Sequence, residues 1–364
     1  MKGILLHGGF GTRLRPLTHS GPKQLIKVAG RPVSEWCLLD LRDSGIKDVA
    51  IVLGELAPTR VIEYYGDGSR LEINITYVYQ GYPYGLAHAL YVCREYVRDE
   101  PFVMYLGDNI LTNGISSYVK EFLSSDADAM VLLTKVEDPR RFGVAKFDER
   151  GRLVGLVEKP KEPPSNYALV GVYFFRPPYI FKVIERLRPS WRGELEITDA
   201  IQKLLESGFK VSYAFVEGWW KDTGTPEDIL EVNRLLLDVK YSKQVVLGKV
   251  ESGAKVEGRV YVSKDARILD GSIVRGPAYI GAGAVMGPGT YVGPYTSVGD
   301  NAELIGVEVE NSVVMDGVVL EGRGIRIVDS LVGAGASVRI SDSIPTGSKL
   351  IVGEQARLWL RGGA

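Results

Sequence analysis

Histidine and cysteine are scarce in this 364-residue chain, and each scarcity closes a class of function. There are three histidines, His7, His19 and His88, so no segment beyond His88 can use an imidazole as general base. The two cysteines, Cys37 and Cys93, sit in apolar helical contexts without metal-ligand spacing, which argues against a zinc site or a disulfide framework. No signal peptide precedes the first apolar strand, and a reducing cytoplasm is the expected location. Apolar runs long enough to span a bilayer are lacking too, so the chain should be soluble and off the membrane. Charge of one sign is also missing. Lys and Arg number 44 against 45 Asp and Glu, so nothing global draws the chain to nucleic acid, and any anion must be bound locally. The length and the 45% hydrophobic content allow two domains and a large core.

What is present is concentrated at the start. A short apolar strand, Ile4-Leu5-Leu6-His7, runs into Gly8-Gly9-Phe10-Gly11-Thr12-Arg13, and Pro22-Lys23-Gln24 follows. Such a turn offers backbone N–H groups and a fixed cation to a polyphosphate. A Walker A loop would need Gly-Lys-Ser/Thr where Thr12-Arg13-Leu14 stands. A dinucleotide fingerprint would need a third glycine opening the helix, and an acid where Val28-Ala29-Gly30 stands. Neither fits. The remaining pattern, Gly-Gly-x-Gly-Thr-Arg with a following Pro-Lys, resembles that of sugar-phosphate nucleotidylyltransferases. The plain alternative is a glycine-rich βα turn.

Two grammars divide the chain. From residue 1 to 240 short β-rich runs alternate with helical patterns, with strands expected at residues 3–6, 48–53, 75–79, 101–106 and 129–133. Several are apolar on both faces, as strands covered by helices on both sides must be. The expectation is an α/β fold, a doubly wound, Rossmann-like, mostly parallel sheet. Gly107-Asp108-Asn109 follows the fourth strand and sets an acid at the carboxyl edge, where ligands of open α/β sheets bind.

From residue 241 to 364 aliphatic residues recur every six positions, from Val250 through Val256, Val262, Ile268, Val274, Ile280, Met286, Val292 and Val298 to Leu304. Neither a helix nor a half-buried strand has that period, whereas a parallel β-helix with three flat sides does, and the pattern resembles the left-handed hexapeptide-repeat form. The register slips between residues 305 and 310, read as a loop extruded from one corner. It resumes at Val314 and Leu320, is interrupted at Arg326, and continues through Val332, Val338, Ile344 and Leu350.

Nucleotidyl transfer to a sugar phosphate needs reactants held in line and their charge neutralised. Arg13 would lie on the triphosphate with the amides of Gly8, Gly9, Gly11 and Thr12, and Lys23 would face the α-phosphate or the leaving pyrophosphate. Mg²⁺ takes one or two carboxylates plus phosphate oxygens, and Asp108 and Asp222 are the candidates.

The first domain resembles the glucose-1-phosphate thymidylyltransferases over nearly its whole length. The resemblance rests on Lys23-Gln24-Leu25, Gln80 with Pro83-Tyr84-Gly85-Leu86-Ala87, Leu106-Gly107-Asp108-Asn109, Arg141-Phe142-Gly143-Val144, Glu158-Lys159-Pro160, Ser165-Asn166-Tyr167-Ala168, Gly193-Glu194-Leu195-Glu196-Ile197-Thr198-Asp199 and Trp220-Lys221-Asp222-Thr223-Gly224-Thr225. It implies the nucleotidyltransferase fold, with dTTP or UTP and a hexose 1-phosphate, glucose 1-phosphate first, as substrates. Gln24 and Gln80 would read the pyrimidine edge, since a primary amide matches N3–H and a carbonyl. Pro83 would line the base site, and Gly85 would let the backbone approach the base. Glu158 would take the sugar hydroxyls, Lys159 would clamp the sugar phosphate, Gly143 would leave room for the hexose, and Gly171 would join that subsite. Glu196 and Thr198 would order its wall. His7 departs from the family's usual small residue, either approaching the nucleotide or packing beneath the loop. Lys27 replaces an expected proline, and Tyr82, Tyr84 and His88 crowd the base segment.

A uridylyltransferase acting on glucose 1-phosphate or N-acetylglucosamine 1-phosphate, a guanylyl enzyme using mannose 1-phosphate, and a noncatalytic regulatory subunit are the alternatives. With no histidine in the repeats, acyl transfer by the usual base is disfavoured. The β-helix is expected to make a homo-oligomer, with a trimer favoured.

Overall fold

The computed structural model describes residues 1–339, so Ile344 and Leu350 of the six-residue register lie outside the described residues. Two compact units are present. One comprises Met1–Phe10, Ser20–Leu25 and Val33–Asp222, and the other Gly11–His19, Ile26–Pro32 and the chain from Thr223.

The first unit is built on a nine-stranded mixed sheet. Its strands are β1 (Lys2–His7), β2 (Asp48–Gly54), β3 (Asn74–Gly81), β4 (Phe102–Leu106), β5 (Ala129–Lys135), β6 (Gly143–Phe147), β7 (Leu153–Glu158), β8 (Tyr167–Phe175) and β9 (Val211–Phe215). The order is β7-β6-β8-β4-β1-β2-β3, with β5 paired to β8 and β9. β4, β1, β2 and β3 run parallel, and only β8 and β7 run against the rest. The five strands read from the sequence are all present, each within about two residues of its expected ends.

Of the parallel strands, β4, β1 and β2 are covered on both faces. Ile4, Leu6, Ala50, Val52 and Met104 pack with Ala87, Leu90, Ile197 and Ile201 from helices Leu86–Tyr91 and Ile197–Glu206. The alternate residues Leu5, Val49, Ile51, Val103 and Tyr105 are equally buried, and the Tyr105 hydroxyl donates to Asp40 of helix Val33–Asp43 at 3.0 Å. Each such buried aliphatic side chain contributes about 1.5–3 kcal/mol, which explains why β1 has no polar face. The connections reverse direction between β1 and β4, and the carboxyl ends of those strands form a crevice edge.

In the second unit the repeats wind into three stacks of short parallel strands, a β-helix. Val262, Ile268, Val274, Ile280, Met286, Val292, Val298 and Leu304 all point inward with no exposed surface. Gly281 and Gly299 mark a stacked corner. A Cβ on Gly281 would fall 2.5 Å from Gly299, and one on Gly299 would fall 2.5 Å from Met315 and Asp316 backbone.

The slip is not an extruded loop. Val292 pairs with Val309 and Val298 with Val314, one and two residues short of the eighteen-residue spacing from Val274 to Val292. Two sides have each lost a residue, so the coil is shortened and the stacking continues. Nor does Arg326 interrupt the core. Val309 pairs with Ile327, which takes the inward place while Arg326 is exposed.

Local structure changes after helix Pro226–Lys240, beside the expected boundary at residue 240, but that helix groups with the β-helix. Asn233 explains it. Its Oδ1 accepts from the Ala29 N–H at 2.8 Å and the Ser297 hydroxyl at 2.7 Å, and its Nδ2 donates to Tyr295 O at 2.9 Å. Lys27 adds ion pairs of 2.7 Å to both Asp300 and Asp316. The lysine that departs from the family pattern thus ties Ile26–Pro32 to two β-helix coils.

Candidate active site

The glycine-rich loop is divided between the units. Gly8 and Gly9 belong to the first, and Gly9 has a left-handed φ of 89°. Gly11, Thr12 and Arg13 belong to the second, where Arg13 is exposed on a 3-10 turn, Thr12–Leu14, with Leu14 buried. The Gly11 carbonyl accepts from the Thr18 hydroxyl at 2.8 Å.

At the end of β4, Lys23 forms an ion pair with Asp108. Burial opposes ionisation of Asp108, but the Lys23 ammonium and the Asn109 amide outweigh it and hold this carboxyl below the usual range. Asn109 is buried, and its amide bonds three groups. Its Nδ2 donates to Asp108 Oδ1 at 2.8 Å, and its Oδ1 accepts from Gly171 N at 3.1 Å and Trp220 Nε1 at 2.7 Å. Asn109–Leu111 pairs antiparallel with Trp220–Asp222, which sets Asp222 opposite Asn109. The backbone of Asp222, remote in sequence, is thereby set in register with the residue that follows Asp108. Asn109 stood in the quoted motif without a role, because its partners lie far along the chain.

The base-reading candidates flank the loop. Gln24 is buried and donates to Gly8 O at 3.0 Å, while its Oε1 has no partner among the described residues. Gln80 donates from Nε2 to Gly85 O and to His88 Nδ1, both at 3.2 Å. Its Oε1 faces Gly8, 3.4 Å from where a Cβ there would sit. Pro83 lies in the turn that follows β3, where Tyr84 N bonds Tyr82 O at 2.9 Å. Gly85 has φ 107°, and a Cβ would lie 2.4 Å from Leu195 O. What approaches Gly85 closely is the chain's own backbone, through Ala87 N to Leu195 O at 3.0 Å and Leu195 N to Tyr84 O at 2.7 Å.

His7 packs beneath the loop. Its ring meets Tyr65 edge-on at 6.0 Å, and both ring nitrogens are buried without partners among the described residues. Burial drives its pKa down to about 3, against a weaker opposite pull from Asp108.

The sugar-phosphate candidates gather on β6 and β7. Glu158 pairs with Gly143 across the two strands. Its Oε2 accepts from the Thr198 hydroxyl at 2.7 Å, and its Oε1 lies 3.6 Å from both Lys159 Nζ and Arg192 Nη1. Lys159 holds a left-handed φ of 41°, an uncommon conformation of the kind that clusters at binding sites. A Cβ on Gly143 would meet Leu169 and Thr198 at 2.6 and 2.7 Å, so its glycine makes room for protein packing. Gly171 likewise makes room for Asn109, at 2.7 Å. Arg192 was missed from sequence. It pairs with Glu194 and lies 3.7 Å from Glu196, a cation whose signal was its place just before the quoted Gly193–Asp199 segment. Burial raises the Glu196 pKa, with Ser190 opposing and Glu158 adding to it.

No helix among the described residues is long and apolar enough to cross a membrane. The family model "Nucleotidyl transferase" matches residues 2–239. A low-salt glycan biosynthesis nucleotidyltransferase of Haloferax volcanii is 51% identical over 99% of this chain and 100% of its own length. A glucose-1-phosphate thymidylyltransferase of Streptomyces antibioticus is 44% identical over 98% of this chain and 99% of its own. Among solved structures, a putative glucose-1-phosphate thymidylyltransferase of Bacillus anthracis, in complex with a sucrose, is 39% identical with a TM-score of 0.61, covering 65% of this chain and 94% of that one. With its cation-acid pair at the carboxyl edge of β4 and a family match across the whole first domain, the chain belongs to the nucleotidyl transferase family.

Proposed function

We propose that the protein transfers a nucleotidyl group from dTTP or UTP to a hexose 1-phosphate, glucose 1-phosphate first, releasing pyrophosphate. The observation that supports this reading is the Lys23–Asp108 ion pair just beyond the carboxyl end of β4, with Asp222 in backbone register with the neighbouring Asn109. An ionised oxygen of the sugar phosphate attacks the α-phosphorus as the bond to pyrophosphate breaks, and pyrophosphate leaves with the electron pair. The attacking oxygen is already charged, so no general base is required. Lys159 and Arg192 hold the sugar phosphate, Glu158 accepts from the sugar hydroxyls, and Lys23 balances charge at the α-phosphate. Arg13 follows in the same loop and would neutralise the triphosphate.

A two-carboxylate set fits Mg²⁺, which completes its shell with phosphate oxygens and water, and Asp108 and Asp222 would hold it. When bound, the ion supplies charge neutralisation on the phosphates. The Gln80 amide matches N3–H of thymine and uracil alike and reads nothing at the 5-methyl group, which is why both nucleotides are named.

The test is pyrophosphate release with glucose 1-phosphate and Mg²⁺ against dTTP, UTP, GTP, CTP and ATP in turn, with Asp222→Asn alongside. Preference for dTTP or UTP, and a loss of at least about a hundredfold in kcat for the variant, is the expected result. Preference for a purine nucleotide overturns the base assignment, and unchanged turnover in the variant overturns the metal assignment.

A further inference from the structure

The Gln80 amide has two chemically different ends, and its surroundings decide which end points where. The Gly85 carbonyl can only accept, so the group 3.2 Å from it is the NH₂. The same nitrogen lies 3.2 Å from His88 Nδ1, which must then offer its lone pair, leaving the neutral ring's proton on Nε2. With both donors engaged, Oε1 faces Gly8 of the opening loop. A carbonyl in that position accepts from a base carrying a ring N–H, as thymine and uracil do, and repels the bare N3 of cytosine.

We propose that His88 is a positioning residue for base selection, its neutral imidazole locking the Gln80 amide in the orientation that favours thymine or uracil and its protonation releasing that lock. The proposal rests on the nucleotide reading given above. An imidazolium Nδ1–H would oppose the Gln80 NH₂, donor against donor. Turning the amide over would relieve this but would set Oε1 against the Gly85 carbonyl. One of the two contacts is lost in either orientation, and the flipped amide offers N–H to the base, which suits cytosine.

The neighbours of His88 leave its proton to burial and to Gln80. The Tyr84 ring meets it edge-on at 5.4 Å. Burial alone lowers its pKa, with no charged group of helices Tyr179–Ile184 or Ile197–Glu206 acting on it, so the locking form prevails at neutral pH. His88 lies outside the pairs formed by Lys23, Asp108, Glu158 and Arg192.

The experiment is steady-state pyrophosphate release by the full chain between pH 5.5 and 8, with dTTP and with CTP at saturating glucose 1-phosphate, for the unmodified enzyme, His88→Gln and His88→Leu. At neutral pH, His88→Leu is expected to cut the preference for dTTP over CTP about five- to tenfold, the loss of one orienting hydrogen bond, with the KM for glucose 1-phosphate unchanged. His88→Gln, which can accept without titrating, should keep the preference. On acidification the KM for dTTP should rise more in the unmodified enzyme than in His88→Gln, while kcat falls in parallel in both. An unchanged preference in His88→Leu, or superimposable KM profiles for the unmodified enzyme and His88→Gln, overturns the proposal alone. An unmodified enzyme with no preference for dTTP over CTP overturns the assignment of Gln80 to the base, and this proposal with it.

Discussion

Asp222 stands opposite Asn109 in a short antiparallel pair, and the Asn109 amide bonds Asp108 at 2.8 Å. One buried asparagine thus orients the first acid and marks the register of the second. The same side chain accepts the Gly171 N–H and the Trp220 indole N–H, which joins the short strand Asn109–Leu111 to β8 and to the strand that carries Asp222.

Asn109→Leu keeps the volume and removes every one of these bonds. The buried Gly171 N–H is left without an acceptor, at about 1–3 kcal/mol, and the half-buried Trp220 Nε1–H loses its partner at a smaller cost. A loss of roughly 2–4 kcal/mol in chemical denaturation is expected, with a fall in kcat of about tenfold or more as Asp108 loses its orienting amide. Unchanged kcat in a folded variant would show that Asp108 needs no such support.

His7 makes stability depend on pH in the acid range. Its folded pKa of about 3 lies below its ordinary value of about 6.5 because the ring is buried. Between those values the unfolded chain binds the extra proton, so the contribution is fully present above about pH 6.5 and is lost as pH falls towards 3. At pH 4.5 the loss is about 2–3 kcal/mol. Thermal unfolding of the protein and of His7→Leu at pH 7 and pH 4.5 checks this, since the variant should lose less stability on acidification. Equal losses in the two would mean that His7 does not stay neutral in the folded state.

Lys27→Met leaves Asp300 and Asp316 facing each other without the ammonium that bridges them. Both carboxylates are partly exposed, so solvent screening limits the expected destabilisation to about 1–2 kcal/mol. It should show in thermal unfolding at low salt and narrow as ionic strength rises. A variant as stable as the parent at all salt concentrations would mean that this pair of bridges does not hold Ile26–Pro32 in place.

Much of the molecule could be read directly from the chain. The apolar strands β1, β2, β4 and β5 announced themselves because a strand buried on both faces has few polar positions, whereas β3, partly exposed, was legible from its β-branched and aromatic residues. The inward column from Val262 to Leu304 was equally plain, since its period depends on neighbours six residues apart. The shortening after Leu304 was misread as an extrusion, because a break in period shows that register has changed without showing whether residues were gained or lost. Ladder pairing of Val292 with Val309 resolves it.

The glycines show a second limit. Gly85, Gly143 and Gly171 were recognisable as glycines with a purpose, and substrate contact was the purpose assigned. The structure shows what a Cβ would strike, namely Leu195 backbone, Leu169 with Thr198, and Asn109. Close approach between segments remote in sequence leaves no mark on either segment alone. By itself the sequence determined the strand and repeat grammar, the cationic glycine loop and the two acids, because those signals depend on residue type and short spacing. Only the tertiary structure decided that Lys23 pairs with Asp108, that Asn109 bridges to Gly171 and Trp220, and that Gly11–His19 and Ile26–Pro32 join the β-helix unit. Those pairings follow from burying apolar elements against each other, which brings polar groups together over distances that local chemistry cannot encode.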